Sequence, residues 1–270
     1  MNIEQLKKKV YSELAGCKGR ASLFMEIKGK IIEFNSEEVY QSASLIKIPI
    51  LYEALRQIEV GIINPDEHVI IRDGDKIGDT GVLQALHAVK SYAIKDLLTL
   101  MVIVSDNSAT NLIIDLLGIE SINKTIGSLS MENSILQRKM LDFQSVKSGK
   151  DNFTTAADIV ACLKAGVKGT DLTKDSSDTF LSILQQQQFK EKLPAYMMEE
   201  FMKTGNKTGE LPGLEHDCAV ILYGESEAFV AVLIDHLSDS EIGKSTIRQI
   251  GKHLNGFIRA NSTESHTKRY

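Results

Sequence analysis

The sequence predicts an α+β fold, in which an antiparallel sheet is built from both chain ends and an all-α lobe is inserted between its strands. Helical spacing of apolar residues dominates the middle of the chain, whereas extended apolar runs bounded by turn residues occur toward both termini. These runs cover residues 21–27, 30–34, 218–223 and 228–234. Since both pairs of runs need partners, one shared sheet is the most economical arrangement.

The chain is expected to form a single domain, 1–270, made of two lobes. The α/β lobe comprises about 1–40 and 203–260, and the all-α lobe comprises about 44–200. Residues 261–270 form a polar tail that is expected to fray. A small-molecule site is expected in the cleft between the lobes.

Composition and charge exclude several function classes. The 270 residues include 31 Lys and Arg against 36 Asp and Glu, a net charge of −5, with no basic block, so nucleic acid and anionic membrane are poor partners. The three cysteines, Cys17, Cys162 and Cys218, are odd in number and far apart, and the histidines form no metal-binding motif. We expect no metal, no other cofactor and no disulfide framework. The expected oligomeric state is a monomer.

The first element of the chain is a predicted amphipathic helix over residues 1–15, with Ile3, Leu6, Val10 and Leu14 on one side. It has no continuous apolar segment and no small-residue cleavage site, so it does not read as a signal peptide. No later stretch reaches the length of a membrane span. As written, the chain is expected in the cytoplasm, unless a leader was removed before residue 1.

The remaining elements are mostly helical. A long helix is expected from Ser44, which stands where an N-cap should, to about Gly61. Thr155 and Asp158 have the spacing of a capping box before another helix. An isolated short strand is expected at 68–71, and further helices are expected at 94–104, 109–117, 156–165, 177–187 and 242–258.

Ser44 and Lys47 are the first candidates for chemistry. They form an S-x-x-K motif, so both side chains rise on one face of the first helical turn. A lysine with a depressed pKa can take the proton of the serine, and a helix N-terminus supplies N–H groups for an oxyanion. Alone the motif is weak, because about one copy is expected by chance in a chain of this length. Residues 121–124 are a second copy.

Two further short motifs follow Ser44 in the chain. Residues 105–107 form S-D-N between two helical patterns, where an ordinary turn with an N-cap is the simplest interpretation. Residues 207–209 form K-T-G at the start of a strand pattern, where the glycine would let a ligand approach the backbone. A tandem K-T-G stands at 203–205. We prefer the second copy, because the residues after it lead into the next strand, and we expect the first copy in the approach.

The order S-x-x-K, S-D-N, K-T-G resembles that of the penicillin-recognising serine enzymes, and of class A β-lactamases most closely. The order of elements fits that family over nearly the whole chain. The resemblance implies a β-lactamase/transpeptidase-like fold and a serine hydrolase acylated at Ser44, with Lys47 beside it. It also implies that Ser105 relays a proton to the β-lactam nitrogen and that Asn107 holds Lys47 and the substrate side chain.

For the third motif, the resemblance implies a substrate-binding role. Lys207 would contribute positive charge, Thr208 would bind a substrate carboxylate, and Gly209 would permit close backbone approach. The backbone N–H groups of Ser44 and Glu210 would form the oxyanion hole. A buried lysine close to a second lysine loses its proton more easily, and a cation with hydroxyl groups suits a small acyl substrate that carries a carboxylate.

The sequence departs from the class A pattern where deacylation is expected. In that family, a loop between the second and third motifs carries a glutamate that activates the deacylating water. The corresponding residues 138–144 contain no glutamate, and Asp142 is the only carboxylate near the expected place. A loop-bracing role for Asp142 is at least as good an interpretation as a catalytic one. Arg138 and residues 151–152 are expected to mark the ends of this loop.

Two more departures concern recognition and export. No arginine follows K-T-G through Tyr223, so carboxylate recognition is expected to depend on Thr208, Lys207 and, as a further candidate, His216. The missing export signal is unusual for an enzyme that meets antibiotics or cell wall.

The sequence therefore predicts a class A β-lactamase-like serine hydrolase, with acylation better supported than hydrolytic turnover. One alternative is a D-Ala-D-Ala-type peptidase or another small-substrate amidase or esterase. A non-enzyme alternative is a covalent β-lactam binder, a sensor or a pseudoenzyme that retains the fold.

Overall fold

The computed structural model of the protein describes residues 1–87, 90–169, 171–197 and 202–261. Its α-helices are α1 (Ile3–Gly16), α2 (Lys47–Glu59), α3 (Ile94–Ile103), α4 (Asn107–Leu117), α5 (Ile119–Ser128), α6 (Phe143–Lys147), α7 (Ala156–Lys168), α8 (Lys174–Gln185) and α9 (Ser240–Ala260). Its strands are β1 (Arg20–Ile27), β2 (Lys30–Phe34), β3 (Tyr40–Gln41), β4 (His68–Ile70), β5 (Ser91–Ala93), β6 (Phe153–Thr154), β7 (Lys203–Leu211), β8 (Leu214–Tyr223) and β9 (Ser226–Asp235). The expected tail at 261–270 lies, from residue 262 onward, outside the described residues.

Five strands of the described chain form one antiparallel sheet in the order β2-β1-β9-β8-β7. The N-terminal strand β1 pairs with the C-terminal strand β9, which places Ala21 opposite Ile234. At the sheet edge, β7 pairs with β8, which places Lys207 opposite Cys218. The predicted α+β fold, with a sheet built from both chain ends, is confirmed.

Both faces of this sheet are buried. On β9, Phe229 and Leu233 pack into the core shared with α2 and α7, whereas Val230 and Val232 pack into the core shared with α1 and α9. This alternation follows from the two-residue repeat of a strand. The predicted apolar face of α1 supplies Leu6, Val10 and Leu14 to the second core. None of the described helices combines the length and apolar content that a bilayer crossing requires.

The inserted segment is largely helical but also contains short strands. The run expected to be an isolated strand is paired, since β4 aligns with β5 and places His68 opposite Ala93. A second pair joins β3 to β6. The helices of this segment and one face of the sheet contribute to one continuous apolar cluster. This cluster does not mark a boundary between two lobes, so the division into an α/β lobe and an all-α lobe stays a prediction.

Ser44 is not a helix N-cap, contrary to the prediction. It lies in a 3₁₀ turn, Ala43–Ile46, and α2 begins only at Lys47, with no side-chain cap. Pro49 therefore falls in the first turn of α2, where its missing N–H costs no intrahelical hydrogen bond.

The expected location of the first K-T-G copy is also wrong. Both copies lie in the continuous strand β7, so residues 203–205 do not form an approach to it. The two copies differ in the surroundings of their lysines. Lys203 is exposed at the start of β7, whereas Lys207 is fully buried.

Candidate active site

Ser44 is half-buried in the turn between β3 and α2. The preceding Ala43 has a φ of 44°, a left-handed conformation that is costly for a residue with a side chain. β7 packs directly against this turn through Gly209. A Cβ atom at Gly209 would lie 3.3 Å from the Cβ of Ala43 and 3.4 Å from Cγ of Leu45, so a glycine here allows β7 to approach Ser44 closely.

Ser105 is the residue that joins the predicted motifs. Its Oγ lies 2.9 Å from Oγ of Ser44, 3.0 Å from Nζ of Lys47 and 3.0 Å from Nζ of Lys207. The φ of Ser105 is 54°, another left-handed residue, and Thr80 Oγ1 donates a 2.8 Å hydrogen bond to its carbonyl oxygen. Thr80 was not predicted, and nothing in its local sequence distinguishes it from an ordinary loop threonine.

Asp106, the middle residue of S-D-N, is structural. Its Oδ1 accepts a hydrogen bond from the N–H of Ala109 and so caps α4, while its Oδ2 accepts from the N–H groups of Val82 and Leu83. Gly81 makes this contact possible, because a Cβ atom there would lie 2.3 Å from Oδ2 of Asp106. Asp106 thus fixes the backbone that carries Ser105.

Lys47 is completely buried, and its Nζ lies 2.8 Å from the carbonyl oxygen of Ser105 and 2.9 Å from Oδ1 of Asn107. This is the contact with Asn107 that the resemblance implied. Burial, followed by the positive charge of Lys207, holds the pKa of Lys47 well below its usual value. A neutral Lys47 amine can act as a base.

Lys207 is also buried, and its Nζ donates a 2.7 Å hydrogen bond to the carbonyl oxygen of Thr208 in addition to its contact with Ser105. Burial lowers the pKa of Lys207 to about 7. The two lysines thus approach Ser105 from different elements, α2 and β7, and both have lost part of their usual basicity.

The loop from Arg138 to Asn152 is closed at its ends, where the sequence predicted. Arg138 pairs with Asp151 at 2.7 Å, and Asn152 Oδ1 accepts hydrogen bonds from the N–H groups of Gln137 and Arg138. Within the loop, the side chain of Asn111 donates to the carbonyl oxygen of Met140 and accepts from its N–H group.

Asp142 does not face the cleft. Its Oδ1 accepts from the N–H of Ser145 at 3.0 Å, and its Oδ2 accepts from the hydroxyl of Ser145 at 2.7 Å, so it caps α6. The Ser145 hydroxyl also lowers the pKa of Asp142. The candidate role in deacylation has no support in this placement, whereas the loop-bracing alternative describes it.

Most of the predicted site residues line one cavity of about 270 Å³. Ser44, Ser105, Asn107, Thr208 and Glu210, all predicted from the sequence, line it, while Lys47 and Lys207 are buried and reach it through Ser105. Its other lining residues are Ala43, Asp79, Thr80, Arg138, Met140, Leu141, Phe143, Asn152, Phe189, Glu191 and Leu211. In the described part of the chain, no group of three His, Cys, Asp or Glu side chains is arranged to hold a metal ion.

The side chain of Glu210 joins a buried ion-pair cluster that the sequence analysis missed. Its Oε1 lies 2.9 Å from Nζ of Lys192, which is fully buried and also contacts Glu215 at 2.5 Å, while Lys244 lies 3.6 Å from Oε2 of Glu210. Glu210 itself is exposed; partial desolvation would raise its pKa, but the neighbouring lysines outweigh that effect and lower it. These partners lie far apart in the sequence, which explains why no local pattern revealed them.

His216 is not available for carboxylate recognition. Its ring nitrogens lie 3.0 Å from the carbonyl oxygen of Gln41 and 3.1 Å from the N–H of Ile234. The ring is completely buried, and burial lowers its pKa to about 4. His216 is a structural link between β3, β8 and β9.

Comparisons with known proteins give a consistent result. A family model described as the beta-lactamase enzyme family matches residues 5–258. Among solved structures, a β-lactamase from Sphaerobacter thermophilus superposes with a TM-score of 0.87 and 28% identity, over 96% of this chain and 98% of that chain. No curated protein matches the sequence.

Two further solved structures show the same fold at lower identity. A variant of PBP-A, solved as an acyl-enzyme complex with penicillin G, gives a TM-score of 0.86 and 22% identity, over 96% of this chain and 97% of that chain. An ancestral class A β-lactamase gives a TM-score of 0.85 and 20% identity, over 94% of this chain and 100% of that chain.

Proposed function

Because this chain belongs to the beta-lactamase enzyme family, as its three motifs predict, we propose that it is a serine hydrolase acylated at Ser44 by β-lactams or by peptide-like substrates of similar shape. The observation that carries the proposal is the position of Ser105 Oγ, within 3.0 Å of Ser44, Lys47 and Lys207 at once. A nucleophile, a base and a cation meet at one hydroxyl group, beside a cavity large enough for a small molecule.

The hydrogen-bonding capacity of Lys47 supports its role as the base. A neutral amine has two N–H donors and one lone pair. In the structure, Nζ of Lys47 donates to the carbonyl oxygen of Ser105, to Oδ1 of Asn107 and to Oγ of Ser105, whose hydroxyl donates to Oγ of Ser44. In the neutral amine the first two groups, which can only accept, would use both N–H donors, and the lone pair would be left to take the proton of the Ser105 hydroxyl. The proton of Ser44 then passes to Ser105 Oγ while the proton of Ser105 passes to Lys47.

Acylation follows from this proton path. Ser44 Oγ attacks the amide carbonyl carbon, and the backbone N–H groups of Ser44 and Glu210 would bind the oxyanion. When the tetrahedral intermediate collapses, the C–N bond breaks and Ser105 returns a proton to the leaving nitrogen, drawing on the protonated Lys47. With a β-lactam the ring opens and the new amine stays attached to the Ser44 ester, whereas with a linear peptide the amine leaves; in both cases Ser44 has lost one proton and the nitrogen has gained one, so atoms and charges balance.

A carboxylate on the substrate fits the other side of the site. Thr208 lines the cavity, and Lys207 lies beneath it with its Nζ bound to the Thr208 carbonyl oxygen. A cation and a hydroxyl group together favour a carboxylate. Both β-lactams and D-Ala-D-Ala peptide ends carry one, and a variant of PBP-A, of the same fold, was solved as an acyl-enzyme complex with penicillin G. Penicillins are therefore suitable probes.

We propose that the acyl-enzyme is long-lived. Hydrolysis of an acyl-serine needs a base within hydrogen-bond reach of a water molecule beside the ester. The loop presents Met140, Leu141 and Phe143 to the cavity, and Asp142 is committed to Ser145. The same observation favours a second candidate function, a covalent binder or sensor that stays acylated. A D-Ala-D-Ala-type peptidase would instead release the D-Ala amine and then pass the peptide acyl group from Ser44 to water or to another amine.

An intact-mass time course with benzylpenicillin tests the proposal. The expected result is rapid gain of one intact penicillin mass, followed by loss of that mass over minutes or longer. Absence of any adduct would contradict acylation. Release of free product at hundreds of turnovers per second would contradict the long-lived acyl-enzyme while leaving acylation in place.

A further inference from the structure

Lys192 is a buried lysine that the proposed reaction does not use. In the described part of the chain, three lysines are fully buried, namely Lys47, Lys192 and Lys207. Burial lowers the pKa of Lys47 and of Lys207. Burial acts in the same direction on Lys192, but the charges of Glu215 and Glu210 outweigh it and raise the pKa of this group. Lys192 therefore remains a cation inside the protein.

The ammonium group of Lys192 lies between two carboxylates on neighbouring strands. Glu210 of β7 stands directly opposite Glu215 of β8 in the antiparallel ladder, an arrangement that is unfavourable for two like charges. Nζ of Lys192 lies 2.9 Å from Oε1 of Glu210 and 2.5 Å from Oε2 of Glu215. It also donates a 3.1 Å hydrogen bond to the carbonyl oxygen of His216 in β8. Lys192 thus offsets a charge repulsion at the end of β7.

The backbone beside Lys192 is fixed as well. The N–H of Leu193 donates a 2.9 Å hydrogen bond to Oδ2 of the buried Asp217. On its other side the turn lies against α9, because a Cβ atom at Gly251 would lie 2.1 Å from the carbonyl oxygen of Leu193. The ammonium group of Lys192 is therefore held in place by the surrounding backbone and not by its ion pairs alone.

Glu210 connects this cluster with the active-site cavity. Its side chain is 45% exposed, and it lines the cavity together with Thr208, the proposed partner of the substrate carboxylate. The second cation near Glu210 is Lys244 of α9, which is partly exposed and lies 3.6 Å from Oε2 of Glu210. A carboxylate at this place that had no cation beside it would repel an anionic substrate.

We propose that Lys192, assisted by Lys244, is a positioning residue that holds the Glu210 carboxylate and offsets its charge, so that the cavity admits a substrate carrying a carboxylate. Lys192 does not line the cavity and acts on the substrate only through Glu210. This inference rests on the proposed acylation at Ser44. It concerns the charge balance of the cavity wall and not a contact with the substrate.

Benzylpenicillin and its methyl ester test the proposal. The two compounds share the β-lactam ring and the acyl side chain, and they differ in the charge of the carboxylate. The second-order rate constant of acylation is measured for each by intact mass, with the full chain. Damage to the structure alone would slow both compounds alike, whereas an uncompensated Glu210 should slow the anionic compound more.

A paired variant removes Lys192 without leaving Glu215 as an unpaired buried charge. Lys192→Met combined with Glu215→Leu replaces the buried pair by apolar side chains, a change that proteins commonly tolerate. We expect the benzylpenicillin rate constant to fall by about tenfold and that of the methyl ester by less than about threefold. Adding Glu210→Gln should return the ratio of the two rate constants to its wild-type value.

Two single variants complete the series. Lys244→Met removes the partly exposed cation, so the protein should fold, and the rate-constant ratio should shift in the same direction by about two- to threefold. Lys164→Met is the matched control. It breaks a partly buried ion pair with Glu26, neither member of which lines the cavity, and should leave both rate constants within about twofold.

The possible failures are distinguishable. Equal slowing of both probes in the paired variant, or a ratio that Glu210→Gln does not restore, would overturn the role of Lys192 while leaving acylation at Ser44 intact. If the paired variant does not fold, an unchanged ratio in Lys244→Met would overturn it. A wild-type protein that neither probe labels would overturn the proposed function, and this inference with it.

Discussion

Ser105 Oγ lies 2.9 Å from Ser44 Oγ, and the hydrogen bonds of Lys47 reach Ser105 and Asn107. The hydroxyl group of Ser105 therefore connects the proposed base, Lys47, with the proposed nucleophile, Ser44. This relationship gives Ser105 two tasks in the proposed reaction, transfer of the Ser44 proton to Lys47 and its return to the leaving group.

Replacing Ser105 should slow acylation strongly. Ser105→Ala removes the hydroxyl group that joins Ser44 to Lys47, and loss of a positioned proton-transfer group typically costs about 10²–10⁴ in rate. The rate of adduct formation with benzylpenicillin, followed by mass spectrometry, measures the effect. A loss of less than about threefold would mean that the Ser44 proton takes another route.

Replacing Ser44 should abolish covalent labelling. Ser44→Ala deletes one hydroxyl group at a half-buried turn, so the fold should be retained and circular dichroism should be unchanged. Ser121→Ala, in the second S-x-x-K copy, is the matched control and should label normally. An adduct on the Ser44→Ala protein, or one that maps to Ser121, would identify the wrong nucleophile.

The tandem K-T-G copies should respond very differently to substitution. Lys207→Ala removes a buried cation 3.0 Å from Ser105 Oγ and should slow acylation by about 10²-fold or more, as with other lost electrostatic contacts to reacting groups. Lys203→Ala changes an exposed lysine on the same strand and should leave the rate within about twofold. Equal rate losses in the two variants would argue against the chosen copy.

The alkaline side of the pH profile should report Lys207. Because burial lowers the pKa of Lys207 to about 7, the group is charged below that pH and neutral above it. Acylation by a carboxylate-bearing penicillin should therefore fall as pH rises through about 7. Lys207→Arg, whose guanidinium stays charged, should remove this decline. A wild-type rate that stays constant from pH 6 to 9 would show that the charge of Lys207 does not control binding.

Adduct lifetime should depend on position 140 and not on position 142. Met140 lines the cavity, so Met140→Glu adds to this loop a carboxylate that can act as a base inside the cavity, and it should shorten the lifetime by about tenfold or more. Asp142→Asn keeps an oxygen that can cap α6 and should leave the lifetime unchanged. A longer-lived adduct in Asp142→Asn would restore the catalytic role for that residue.

The motif residues and the sheet were predictable because their signals are local or strongly periodic. The runs at 218–223 and 228–234 are almost continuously apolar and are bounded by turn residues, as expected for strands buried on both faces. The resemblance to class A β-lactamases indicated Arg138 and Asp151 as the ends of one loop, and these residues form an ion pair. Ser44 was misplaced because a 3₁₀ turn and a helical first turn have similar apolar spacing.

The features of the site that the sequence did not predict depend on contacts between residues far apart in the chain. The pairing of Lys192 with Glu210 and Glu215, and the burial of His216 between strands, depend on how distant segments meet. Asp142 is different, because its N-cap interaction is with Ser145, only three residues later, and the loop-bracing interpretation given from the sequence describes that contact.

The pairing of β1 with β9 also affects when, during synthesis, the residues of the candidate site can come together. These strands join residues such as Ala21 and Ile234, which are separated by most of the chain, and β7 reaches the sheet only through β8 and β9. Contacts between such distant segments form slowly, because closing a long loop must precede them. On a ribosome, Ser44 and Lys47 emerge early, but the sheet does not hold Lys207 beside Ser105 until β9 has been synthesised and paired. Nascent chains that end before residue 235 should therefore be unable to react with penicillin.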